Sequence, residues 1–119
     1  MSKAPKFLTF NDGMAHFRSI ENVAAPGDKP QEKLVAKIKL PFEYLTIGAK
    51  RNYDAMQADV RLDELIRTPL HRCISTQDIC IIEGTQYRIE QVQHDPGTAP
   101  PSSKFSLSKL EQNYEFEGI

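Results

Sequence analysis

ISTQDICIIEGTQYRIEQV, Ile74 to Val92, is the stretch whose reading decides the fold. Ile79–Ile82 and Gln86–Gln91 read as two strands, with Glu83, Gly84 and Thr85 as the turn between them. Successive strand side chains alternate faces, so Ile79 and Ile81 point one way and Cys80 and Ile82 the other. Gly84 supplies the positive φ that a tight hairpin requires. A strand apolar on both faces belongs inside a small closed or sandwiched β domain rather than at a half-solvated edge. In the second strand Tyr87 and Ile89 share a face, and Val92 falls out of phase with them. One extra residue near Glu90–Gln91, a β-bulge, restores the register and bends the strand.

Upstream, Leu34, Ala36, Ile38, Leu40, Phe42 and Tyr44 occupy every second position, with Lys33, Lys37, Lys39 and Glu43 between them. This alternation predicts one strand with a buried and a wet face, and Pro41, which has no N–H, sets that part at an edge or a bulge. Met14–Val23 is a further strand, entered through the turn-forming Asn11–Asp12–Gly13. Ala58, Val60 and Leu62 alternate with Asp59, Arg61 and Asp63 as another strand, and Phe105 and Leu107 mark the last. Lys50–Ala55 reads as a turn or a short helix. The expected architecture is all-β, a small antiparallel barrel or compressed sandwich of about six strands with at most one short helix. The 119 residues suit one domain, with a flexible N-terminus and a loosely held acidic tail, EQNYEFEGI.

Fifteen basic and sixteen acidic residues are spread along the chain, a balance that does not favour binding nucleic acid by bulk charge. No run is long enough to span a membrane, and MSKAPKFLTF lacks the apolar core of a signal peptide, so a cytosolic site of synthesis is expected. In that compartment Cys73 and Cys80 are expected as two free, partly buried thiols.

His71, Cys73 and Cys80, with His16 and His94 elsewhere, lack the second close pair that a zinc site needs. A Cys–His nucleophile would need an orienting group as well. Asp59 and Asp63 share a face of the expected strand but stand about 13 Å apart at strand rise, too far for joint acid–base work. Arg61, Arg67, Arg72, Arg88 and Lys109, with Tyr53 and Tyr87 as stacking candidates, outline a nucleic-acid surface of the kind small OB-type barrels carry. Acidic neighbours (Asp59, Glu64, Asp78, Glu90) argue against it, and Tyr87 reads as core. No catalytic, cofactor or metal residue is assigned. Two long proline-bearing loops are left as contact segments. One comprises Ala25, Pro26, Gly27, Asp28, Lys29, Pro30 and Gln31. The other comprises Asp95, Pro96, Gly97, Thr98, Ala99, Pro100, Pro101, Ser102 and Ser103.

End to end the chain resembles small neck proteins of tailed bacteriophages, the head-completion or head–tail joining group, often labelled minor capsid proteins in Gram-positive prophages. The similar stretches are FNDG (Phe10–Gly13), SIENVAAPGDKP (Ser19–Pro30), VRLDELIRTP (Val60–Pro69), STQDICIIEGTQYRIEQVQ (Ser75–Gln93) and SLSKLEQ (Ser106–Gln112). The resemblance implies a non-enzymatic β-barrel added as a homo-oligomeric ring to a portal or adaptor. Such a ring seals the DNA-filled head, lets DNA pass without specific binding, and presents the docking surface for tail-completion proteins. It implies a virion location at the head–tail junction, after assembly in host cytoplasm from a subunit that can be monomeric when free. A tail-completion protein or a small nucleic-acid-binding barrel are the alternative readings.

Overall fold

In a computed structural model, which describes residues 8–22, 24–29 and 32–116, the Ile74–Val92 stretch folds as a hairpin. Glu83 and Gly84 have φ of 50° and 79°, the positive pair that a two-residue type I′ turn demands. Thr85 pairs with Ile82, so it belongs to the second strand rather than to the turn. The described residues form seven strands and one helix: β1 (Gly13–Asn22), β2 (Glu32–Leu45), α1 (Ala49–Gln57), β3 (Glu64–Pro69), β4 (Ile79–Ile82), β5 (Thr85–Asp95), β6 (Ser102–Lys109) and β7 (Glu115–Phe116). Six of the strands close in a ring in the order β1-β2-β3-β6-β5-β4, each antiparallel to both neighbours. The chain is a small all-β, barrel-like domain with one short helix.

The interior is filled by alternate residues from every strand of the ring. Ala15 and Phe17, Phe42, Ile66, Cys80 and Ile82, Ile89, and Phe105 and Leu107 form one buried cluster, joined by Ile74 from the β3–β4 connection. The Phe17 and Phe105 rings lie 5.0 Å apart, tilted by 48°, an arrangement that favours the edge of one π-system over the face of the other. The expected bulge in β5 is present. Ile89 pairs with Leu107 and Gln91 with Ser106, leaving Glu90 as the extra residue, and Val92 returns to the core opposite Phe105.

A second irregularity was not legible. Phe17 pairs with Ile38 and Arg18 with Ala36, so Lys37 is an extra residue in β2. Because strand periodicity is two, one extra residue moves the apolar row to the opposite face. Ile38, Leu40 and Phe42 therefore face the interior, whereas Leu34 joins Ile79 and Ile81 in a separate cluster with Ile20, Leu110 and Tyr114. The single buried face expected for Leu34–Tyr44 is thus two half-faces, and Ala36 and Tyr44 are exposed. The bulge sits at Lys37, not at Pro41. Pro41 lies where β2 has β1 on one side only, since pairing with β3 is confined to Glu43–Leu45.

The strand expected over Ala58–Leu62 is replaced by a helix end. Asp59 N–H donates to Met56 O (3.1 Å) and Val60 N–H to Ala55 O (2.8 Å), with Asp59 at φ 57°. These are the two bonds of a Schellman stop. Ala58 and Asp59 form the turn of that stop, Val60 follows it, and β3 begins only at Glu64. The C-terminal segment is docked, not loose: Leu110 and Tyr114 pack on the outer cluster, and β7 adds in parallel to Lys33 and Leu34 of β2. The first seven residues, expected to be flexible, and residues 117–119 of the tail lie outside the described residues.

Candidate interaction surface

Antiparallel alternation around the ring sends the β1–β2, β3–β4 and β5–β6 connections out of one end and the β2–β3 and β4–β5 connections out of the other. Both loops singled out from sequence therefore leave the same end. Ala25, Pro26, Gly27, Asp28 and Lys29 are exposed, with one turn bond, Asp28 N–H to Ala25 O at 3.0 Å. Pro30 and Gln31 lie outside the described residues.

The second loop is stapled from within. Thr98 Oγ1 is 2.8 Å from Ser102 Oγ and donates to Pro100 O (2.8 Å) or Asp95 O (3.1 Å), while Gly97 N–H donates to Asp95 Oδ1 at 3.1 Å. Leu8 N–H reaches Ala99 O, and Leu70 N–H reaches Pro101 O. Pro96, Gly97, Pro100 and Pro101 are exposed, and Asp95, Thr98 and Ala99 half-buried. Ser102 and Ser103 must be withdrawn as contact residues. They begin β6, are fully buried, and Ser103 Oγ is spent on His94 Nδ1 (2.8 Å) and His71 N–H (3.2 Å).

A clamp that sequence reasoning missed holds the base of the β1–β2 arm. Lys37, the bulge residue, places Nζ 2.8 Å from Asp78 Oδ2, which also accepts Ser75 N–H at 2.9 Å. Asp78 is buried, so its charge is matched within the protein rather than by water. A lysine out of step with its strand and an Asp three residues after Ser75 were the available signals. Both were obscured by an apparently unbroken alternation.

Several basic side chains are engaged within the fold. Arg67 forks onto Glu43, its register partner on β2, through Nε (2.6 Å) and Nη2. Arg61 Nε lies 3.3 Å from Asp63, whose other oxygen accepts Lys109 N–H at 2.7 Å. Asp59 and Asp63 thus share no strand face. Arg51 ties α1 to the barrel, donating to Gln91 Oε1 (2.9 Å), Ser106 Oγ (2.8 Å) and Gln93 Oε1. No residue of α1 is buried, and Tyr53 and Met56 are 63% and 65% exposed. Tyr87 packs against the core instead of offering a stacking face. Burial, and then the nearby Glu64 carboxylate, raise the phenol pKa values of Tyr44 and Tyr87 above their ordinary range. Burial, and then the charges of Arg18 and Lys39, lower that of His16.

Cys80 sits in the core, its thiol pKa pushed up by burial, whereas Cys73 is exposed rather than partly buried. Among the described residues no three His, Cys, Asp or Glu side chains gather as a metal ion would need, and no helix is long and apolar enough to cross a membrane. Compared with known proteins, the chain matches no family model and no curated sequence.

Proposed function

We propose that the chain is a structural protein of a tailed-phage neck. It joins a portal or adaptor ring, closes the DNA-filled head and offers the surface on which the tail docks. The observation that supports this reading is the placement of largely exposed, proline-bearing segments at residues 25–29 and 96–101 on one end of a closed ring of strands. Copies set head-to-tail about an axis need two different surfaces on each subunit. Proline limits the freedom that such loops lose on docking. The sequence resemblance points the same way.

Deleting the gene from an inducible lysogen and imaging the particles tests the reading. Separate tails beside heads that have lost their DNA are the expected result, and normal infectious virions would overturn it. Shortening residues 24–32 to Gly–Gly is expected to leave the barrel folded, by thermal melting, while blocking particle assembly. A cooperative loss of folding would instead make the loop part of the scaffold.

A further inference from the structure

β4 is buried on both faces, but the barrel interior accounts for only one of them. Outside the ring, Ile79 and Ile81 form an apolar strip with Leu34 and Ile20, and Leu110 and Tyr114 cover it. Gln86, 3% exposed, grips one residue of this cover by its main chain. Its Nε2 donates to Tyr114 O (2.8 Å), and its Oε1 accepts Tyr114 N–H (2.8 Å). Immediately beyond, Glu115 and Phe116 pair in parallel with Lys33 and Leu34. Between the anchors, Glu111, Gln112 and Asn113 are exposed and line an open groove of about 1300 Å³ together with Arg88 and Ser108.

This is a site built to read an extended peptide: a main-chain grip, an apolar strip for two anchors four residues apart, and a strand edge. We propose that residues 110–116 are an exchangeable strap, and that in the oligomer this site on each copy receives the strap of a second copy of this chain. A neighbour's strap brings the same contacts as the chain's own, so exchange costs little once copies are held close. Residues 111–113, exposed between the two anchors, can serve as the hinge. The rest of the β2 edge does not compete for the strap. Between the β7 pairing at Leu34 and the β3 pairing at Glu43 it presents the Lys37 bulge, Lys39 and Pro41, features that discourage strand addition. The proposal rests on the oligomeric ring of the proposed function.

Its test uses full-length chains in a Cys73→Ser background. Lys33→Cys and Glu115→Cys, at register partners, are made in separate chains, one isotope-labelled, then mixed, concentrated and mildly oxidised. The double variant in one chain reports the strap docked in cis. Mixing Lys33→Cys with Gln57→Cys, exposed on α1, sets the collision background. Expected is a labelled–unlabelled disulfide dimer above that background, rising with concentration and lost when excess peptide spanning residues 109–116 is added. Oligomers seen by native mass spectrometry without such a disulfide overturn the exchange and leave the ring standing. The absence of any oligomer, in solution and on particles, overturns both.

Discussion

Lys37→Met, which keeps an unbranched side chain one atom shorter and removes its charge, isolates what the clamp at the base of the arm contributes. In the native protein the Asp78 side chain is 5% exposed, and it accepts from Lys37 Nζ at 2.8 Å and Ser75 N–H at 2.9 Å. Removing the lysine strands a buried carboxylate on one backbone donor, a situation that costs about 3–5 kcal/mol when both partners are fully buried. The Lys37 side chain is 30% exposed, so solvent already screens part of the pair and the loss should be smaller. A charged hydrogen bond lost at this depth is worth about 1.5–3 kcal/mol, and about 2 kcal/mol is the expected destabilisation of Lys37→Met. Asp78→Asn should cost less, about 1 kcal/mol, because the amide oxygen still accepts Ser75 N–H and the freed ammonium can turn to water. The double variant should recover part of the sum, since the orphaned charge is then gone. Urea unfolding of the four proteins at pH 7 measures all three differences. Equal losses below about 0.5 kcal/mol for both single variants, summing in the double, would place the pair among surface ion pairs and refute the reasoning.

Asp59→Gly should stabilise the protein by about 0.5–1 kcal/mol in the same assay, because the helix stop holds residue 59 at φ 57°, where glycine meets no Cβ penalty. His16 has a lowered pKa, so below pH 6.5 the unfolded chain takes up this proton more readily than the folded one, and stability falls as pH drops through that value and on to the lower folded pKa. His16→Gln should flatten that part of the profile in melts between pH 7.5 and 5, and an unchanged slope would assign it to other groups. Arg51→Ala should accelerate amide exchange across residues 52–57 with little change in global melting, since the helix is tied to the barrel through that guanidinium and has no buried residue of its own.

The parts legible in the sequence were those where pattern and geometry break together. In β5 the apolar phase slips by one residue at Glu90, and a bulge is the only local way to keep Val92 inside. At Lys37 the backbone slips while the apolar letters continue in phase, because Ala36 is small enough to sit on either face and leaves no mark of the reversal. The helix end was misread for a related reason. An Asp in the left-handed stop position, where Gly is the usual signal, turned Ala58-Asp59-Val60 into an apparent strand alternation. Of the contact segments, residues 96–101 were placed correctly in a loop, but Ser102 and Ser103 carry small polar side chains whose burial only the pairing with β3 reveals. The role of the tail could have been found. A barrel covers one face of each strand, so an ICII strand inside it requires a second cover from outside, and Leu110 and Tyr114 are apolar residues of the segment that follows β6.

That second cover links the fold to the proposed function. A subunit that circulates free and assembles only on its platform must keep its strand edges from templating one another, because an open edge of a β domain grows without limit when it accepts a copy. Here each ring strand has a neighbour on both sides, but β5 runs on past β4 over residues 89–95 and, in the long arm, β2 runs on beyond its pairing with β3, so the arm is a stretch at risk. Along that arm the middle of the β2 edge carries the Lys37 bulge, Lys39 and Pro41, and its far end, at Lys33 and Leu34, carries the chain's own strap. A guarded stretch rejects strands altogether, whereas a strapped one rejects all but a better-placed copy of the same segment. The two devices differ in what assembly can do with them: the strapped stretch can change partners, so under the proposed exchange copies would meet through that stretch and through the loops at residues 25–29 and 96–101.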